Sequence, residues 1–506
     1  MEHRKSGILM HITSLPSPYG IGNIGEAARK FVDFLQTAGQ SLWQILPIGH
    51  TGFGDSPYQC FSAAAGSPYL IDPGWLLEKG LLTKTELDSL HEDGHTIDFV
   101  DYGLVTTRYP EVLQAAFRRI PEEMKTACRQ FAEQQKSWIG EYALFMALKD
   151  HFGGKAYWEW EDRDIAAHKA DAVEKYRLRL QDKTEYYIFI QYVFYRQWNA
   201  LRNYAADRGI ELIGDLPIYV ASDSCEMWSN PLLFQTDARG RQNRQAGVPP
   251  DYFSSTGQLW GNPVYDWNYH KKTGYAWWLW RVGHNLKLFD RLRLDHFRGF
   301  LSFWEVPYPA ESAAQGRWIL GPGEEFLEKL AAVFGKERFI AEDLGILDSK
   351  TRMILERSGF RGMRVLTFGL RKQDDSTHLP HHYPKHLAAY TATHDSETIA
   401  EFVEETAGTE DREFARAYLR ADGEACLGFA AVKTLFASCA ELAIVPLQDV
   451  LSLGGDARMN KPAEAFGNWR WRVREDGLNA SVAEFLNKTA ATYKRNETYE
   501  SKNDIV

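Results

Sequence analysis

The chain has 506 residues, 44% of them hydrophobic and 25% charged, which is the balance of a globular protein. Its 58 Lys and Arg stand against 68 Asp and Glu, a formal net charge of −10. That balance, with no Lys/Arg-rich run, argues against nucleic-acid or anionic-membrane partners, and no stretch approaches a membrane span. The length suits about three ordinary units or one large α/β barrel with insertions.

The five cysteines, Cys60, Cys128, Cys225, Cys426 and Cys439, are scattered and form no CxxC. A disulfide framework or a structural zinc site is not expected, and a reducing cytoplasm is. The 16 Trp and 24 Tyr exceed what a core needs and suit flat ligands.

In chain order, Ser6 to Ile12 reads as a short apolar strand, not a signal peptide, because His11 interrupts a run that is already short. A Pro/Gly loop follows, and then a helix from Gly25 to Thr37 with Ala28, Phe31, Phe34 and Leu35 at helical spacing. Leu42 to Ile48 is the second strand, which completes a βαβ unit.

The alternation then breaks. Gly54 to Gln59 and Gly66 to Tyr69 are loop chemistry, and Trp75 to Lys183 is helical and charged. Ile190, Phe194, Trp198, Leu201 and Ala205 mark one helix face, with Gly209 as its stop. Ile210 to Val220 is the third strand, with Asp215 and Pro217 near its end. The segment from Ala221 to Lys272 is long, rich in Gly, Pro and aromatics, and reads as a functional loop.

After a helix near Tyr275 to Lys287 comes Arg291-Leu292-Arg293-Leu294-Asp295-His296-Phe297-Arg298-Gly299-Phe300. Leucines alternate with arginines, and then charge crowds the strand end. Regular βα alternation is expected beyond it, with strands at Arg338 to Gly345, Arg364 to Gly369, Ala388 to Asp395 and Leu442 to Leu447. Eight strands in this order predict a (β/α)8 TIM barrel with large, mostly helical and loop-rich insertions. The predicted division is 1–54 for the first two strands and 55–185 for a helical subdomain. Residues 186–220 hold the third strand, 221–272 an aromatic loop over the site, and 273–506 the rest of the barrel.

Such barrels keep their chemistry at the C-terminal strand ends. Asp215, Asp295, Glu342 and Asp395 all fall there, with Arg293, His296 and His394 beside them. Converging carboxylates suit either a hard metal site or glycoside chemistry. Arg293, two residues before Asp295 and so on the same face, would oppose a dication and would keep Asp295 ionised. Asp343 faces the other way and is expected to make a structural contact. The stretch His378-Leu379-Pro380-His381-His382 lacks acidic partners and reads as a loop. Cys225, with no partner constellation, reads as structural.

Several blocks together resemble the 4-α-glucanotransferase (amylomaltase, or disproportionating enzyme) family. They are Ser14-Leu15-Pro16, Asp55-Ser56-Pro57-Tyr58-Gln59, Gly214-Asp215-Leu216-Pro217-Ile218-Tyr219, the stretch from Gly247 to Pro263, and Arg293 to Gly299. Ala341-Glu342-Asp343-Leu344-Gly345, Thr393-His394-Asp395, Arg458-Met459-Asn460 and Gly467-Asn468-Trp469 complete the set, in family order. The chain departs from many relatives at Ser396-Glu397 and around Ser222 to Trp228.

The resemblance implies Asp295 as nucleophile, Glu342 as general acid and then base, and Asp395 as stabiliser of the oxocarbenium-like transition state. It further implies substrate contacts from Ser56, Tyr58, Asp215, Asp251, Tyr252, Phe253, Trp260, Arg293, His296, Phe368, His394 and Asn468. Asp215 is included with these contacts, and orienting a neighbour is the alternative role open to it. The implied partners are maltodextrins and other α-1,4-glucans, with no cofactor and no metal. A retaining α-glucan hydrolase would use the same three acids, and the aromatic loop favours transfer. The sequence assigns no oligomeric state.

Overall fold

The computed structural model describes residues 4–496 apart from 92–97, 251–255, 346–347, 373–375, 422–426, 463 and 465. Twelve strands occur among the described residues. The first six are β1 (Lys5–Leu9), β2 (Leu42–Gln44), β3 (Glu211–Leu216), β4 (Arg244–Val248), β5 (Gln258–Pro263) and β6 (Arg291–Leu294). Then come β7 (Ser302–Pro307), β8 (Arg317–Leu320), β9 (Phe339–Ala341), β10 (Gly362–Val365), β11 (Leu387–Tyr390) and β12 (Leu442–Pro446).

Strands buried on both faces read as apolar runs, and β1, β2, β9, β11 and β12 do. These five join β3, β6 and β10 in one parallel sheet, each strand beside its successor in that set. The circle closes between β9 and β10, where Ala341 N–H donates to Arg361 O at 2.7 Å and Arg361 N–H to Phe339 O at 3.2 Å. The fold is therefore the expected (β/α)8 barrel. Connecting helices cover it. Glu26–Thr37 buries Ala28, Phe31, Val32, Phe34 and Leu35. The 26-residue helix Gln181–Ala206 buries Ile190, Phe194, Trp198, Leu201 and Ala205, and Gly209 follows it at φ +71°, where an L side chain would be strained.

Between β2 and β3 the chain is helical, including Tyr102–Phe117, Glu122–Gln134 and Ile139–His151. The aromatic stretch between β3 and β6 is not a plain loop. Here β4 and β5 form an antiparallel pair, and β4 also pairs with β7, which pairs with β8. This second sheet, in the order β5-β4-β7-β8, draws on residues 302–320, beyond β6. Regular βα alternation after β6 therefore does not hold. Gly247 sits opposite Trp304, a pairing far apart in sequence that no local pattern reports. The expected strand over Arg364 to Gly369 also moves. It runs from Gly362 to Val365 and gives way to a 3-10 turn at Leu366–Gly369, where its ladder to β11 ends.

Among the described residues, no helix is long and apolar enough to cross a membrane.

Candidate active site

Register places the carboxylates. Leu294 of β6 is level with Ala341 of β9, so Asp295 and Glu342 are each one residue past an aligned pair. Their backbone N–H groups continue the ladders, to Leu216 O and Leu294 O, both at 3.1 Å. Asp215 lies level with Arg293 across β3 and β6. Both side chains are buried, at 0% and 2% exposure, so the charges must be paired.

Arg293 is the centre of this half of the site. Its Nη1 donates to both oxygens of Asp215 at 2.7 Å and to Asp295 Oδ1 at 3.1 Å, and Nη2 reaches Glu342 Oε2 at 3.1 Å. The sequence reading makes Arg293 the group that keeps Asp295 ionised. The guanidinium is in fact equidistant from Asp295 and Glu342 and closest to Asp215. Burial pushes the Asp295 carboxyl well above the usual range, and the negative charge of Glu342 adds to this, with Arg293 opposing. Three carboxylates around one cation leave an excess of negative charge, which one retained proton relieves. Arg293 also occupies the middle of the carboxylates, where a metal ion would sit. Among the described residues no group of three or more His, Cys, Asp or Glu could hold one.

Asp395, beyond β11, has different company. Asn460 Nδ2 donates to its Oδ1 at 2.7 Å, His394 Nε2 is 3.2 Å from its Oδ2, and Arg458 holds its backbone carbonyl at 2.9 Å. Desolvation works against its charge, but His394, Asn460 and Arg293 together hold it well below the usual carboxylate range. Its side chain is 41% exposed, against 22% for Asp295 and 19% for Glu342. It is ionised and open to a ligand.

Tyr58 joins the two halves. Its hydroxyl donates to Asp215 Oδ2 at 2.9 Å. With that proton committed, it accepts from His394 Nε2 at 2.8 Å. The Tyr58 and His394 rings stack at 5.4 Å, with Trp469 against both. Ser56 serves this arrangement, its Oγ accepting from Tyr58 N at 3.3 Å.

His296 adopts φ +46°, a strained conformation for a non-glycine residue, at the turn after β6. That turn aims its N–H at Glu342 Oε2, 2.5 Å away. Trp260 of β5 meets the His296 ring edge-on at 4.9 Å, which brings the second sheet to the catalytic end of the barrel. Phe368 is 40% exposed in the turn after β10.

The other expectations separate. Asp215 orients Arg293 and Tyr58. Asn468 spends its amide on its own loop, accepting from Lys461 N at 2.9 Å and donating to Glu464 O at 2.7 Å, so it shapes the loop that carries Asn460 and Trp469. Asp343 turns away to Arg364 at 3.0 Å and to Met363 N–H. His378 accepts from Val365 N at 3.0 Å in a loop, and Cys225 is a buried thiol whose pKa burial pushes up. Asp251, Tyr252 and Phe253 lie outside the described residues. The sequence reading gave no role to Asn460, Arg458 or Trp469. Their motifs are visible in the sequence, but the partner Asp395 is 65 residues from Asn460.

Comparison with known proteins gives the family. The model of the glycoside hydrolase 77 family, described as 4-alpha-glucanotransferase, matches residues 10–478. The 4-alpha-glucanotransferase of Streptococcus pneumoniae is 43% identical over 98% of this chain and 98% of its own. That of Thermus thermophilus is 42% identical over 97% and 99%. The solved amylomaltase of Streptococcus agalactiae, in complex with acarbose, superposes with a TM-score of 0.94 at 39% identity, covering 98% of this chain and all of that one. This chain belongs to the 4-α-glucanotransferase family.

Proposed function

We propose that this glucanotransferase works on maltodextrins and related α-1,4-glucans by double displacement, with Asp295 as nucleophile, Glu342 as acid and then base, and Asp395 as transition-state stabiliser. The carrying observation is the shared guanidinium: Asp295 and Glu342, on adjacent strand ends, each lie 3.1 Å from Arg293. Two closely set carboxyls suit retention.

In the first step Asp295 attacks C1 of the donor glucosyl unit. The glycosidic bond breaks as Glu342 protonates the leaving oxygen. The proton that the crowded cluster retains must sit on Glu342 at this point, which leaves Asp295 ionised for attack. Asp395, held charged by His394 and Asn460, faces the positive charge that develops on the ring. In the second step Glu342 takes the proton from an acceptor 4-hydroxyl, which attacks C1 and releases Asp295.

Transfer needs a sugar hydroxyl to outcompete water. Trp260, poised against His296, supports stacking of the acceptor and exclusion of water. The enzyme acts in the cytoplasm, a reading that the free thiols of Cys60, Cys128, Cys225 and Cys439 support.

Incubation with maltotriose tests the activity. Glucose plus a ladder of longer maltodextrins is the expected product pattern. Maltose and glucose alone would replace transfer with hydrolysis.

A further inference from the structure

The edge of the second sheet carries an apolar strip that the reaction above does not use. Trp318 and Leu320 point to one face of the edge strand β8, and Ile319 turns to the core. Trp318 is 43% exposed and Leu320 is 76% exposed. Exposed apolar surface of this kind is costly to keep in water and marks contact sites when it is rigidly built.

This one is rigidly built. Trp304, directly opposite Trp318 in register, meets it edge-on at 5.3 Å and 69°. Trp304 is itself fixed, its Nε1 donating to Ala313 O at 2.8 Å. The Arg298 guanidinium lies over the Trp318 ring, 4.0 Å from its centroid. Arg298 belongs to the turn Phe297–Phe300 that directly follows Asp295 and His296. The strip is thus continuous with the rim of the catalytic end through a single side chain. The same sheet presents Trp260 to the site at its opposite edge.

We propose that Trp318, backed by Trp304 and Arg298, is a glucan-binding platform that holds stretches of α-1,4-glucan running beyond the carboxylate cluster. This rests on the glucanotransferase reading above. The chemistry fits one occupant. A glucosyl unit offers a flat C–H face that an exposed, rigidly held indole can cover. Chains of two or three glucosyl units engage the carboxylate cluster without reaching the platform, whereas long chains engage both.

Kinetics of Trp318→Leu on two donors test this. With amylose, KM rises about threefold to tenfold at unchanged kcat, the loss expected for one aromatic contact. With maltotriose both constants stay at the wild-type values, which also shows that the variant is folded. Trp318→Tyr restores most of the amylose affinity. An unchanged KM for amylose overturns the proposal. So does a dimer that reverts to monomer in Trp318→Leu by light scattering, which would assign the strip to a second copy of the chain. If wild-type protein makes no ladder from maltotriose, the functional reading falls separately. Amylose binding to Asp295→Asn with and without Trp318→Leu then decides the platform alone: weaker binding in the double variant supports it, and equal binding overturns it.

Discussion

The two halves of the site hold the same functional group in opposite ways. Around Arg293, three carboxylates share one buried cation, and Asp295 is driven towards protonation by burial and by Glu342. Around Asp395, one carboxylate has Asn460 and a His394 shared with the Tyr58 hydroxyl, and it is held ionised. Burial works against charge on both aspartates, and what differs between them is the ratio of acids to donors. The crowded half keeps a proton to move, and the uncrowded half keeps a charge in place. In the proposed mechanism, acid–base and nucleophilic work belong to the first, and stabilisation of positive charge to the second.

The largest effect is expected in the crowded half. Asp295→Asn should lower kcat on maltodextrins by about 10⁴-fold or more while glucan binding persists. Glu342→Gln should cost about 10² to 10⁴-fold on the same substrates. A glucosyl fluoride, whose leaving group needs no proton, should recover much of the first step in Glu342→Gln and none of it in Asp295→Asn. Full activity in Asp295→Asn would remove the nucleophile assignment.

Removing the cation tests the same half through stability. Arg293→Met leaves Asp215 buried without its partner and should destabilise the fold by about 3–5 kcal/mol, read from denaturant unfolding. A near-neutral result would mean that Asp215 protonates at little cost.

The uncrowded half should respond more mildly. Asn460→Ala removes a hydrogen bond to a charged group, worth about 1.5–3 kcal/mol, so kcat/KM should fall by about tenfold to a hundredfold. The pKa of Asp395 itself should rise, read from NMR titration of its side-chain carboxyl, because it loses a donor that lowers it. An unmoved value would show that Asn460 does not help to hold its charge.

The smallest effect per residue lies outside the contrast and sets its pH background. Burial lowers His11 and His50 to about 3 and His270 and His284 to about 4, from 6.5. Between the folded and unfolded values the unfolded chain binds more protons, so stability rises with pH. It is complete above about 6.5 and falls as the pH drops towards 4, by about 1.4 kcal/mol per pH unit for each ring. Unfolding followed at pH 7, 6 and 5 checks this. A flat profile would mean that these rings are protonated in the folded state.

The barrel was legible because most of its strands read as apolar runs, and the positions of its acids because strand ends can be counted. The second sheet was not legible. β7 and β8 follow the catalytic strand where a helix was expected, and their partner β4 lies on the other side of it. Asn468 read as a ligand contact because of its motif, yet its amide closes a loop. Asn460 lay in an equally visible motif and makes the contact to Asp395. A motif marks that a residue matters at its position and does not say which atoms it meets.

The sequence by itself determined the family and the barrel, and placed three acids at strand ends, because hydrophobic periodicity and motif spacing are local and survive without coordinates. Only the tertiary structure decided how charge is shared. Arg293 stood two residues from Asp295 in sequence and looked like its private counter-ion. In the folded chain it is bound most tightly by Asp215 and reaches Glu342 equally well. Ionisation depends on every charge within a few ångströms in a dry interior, and that set is assembled from strands far apart in the chain.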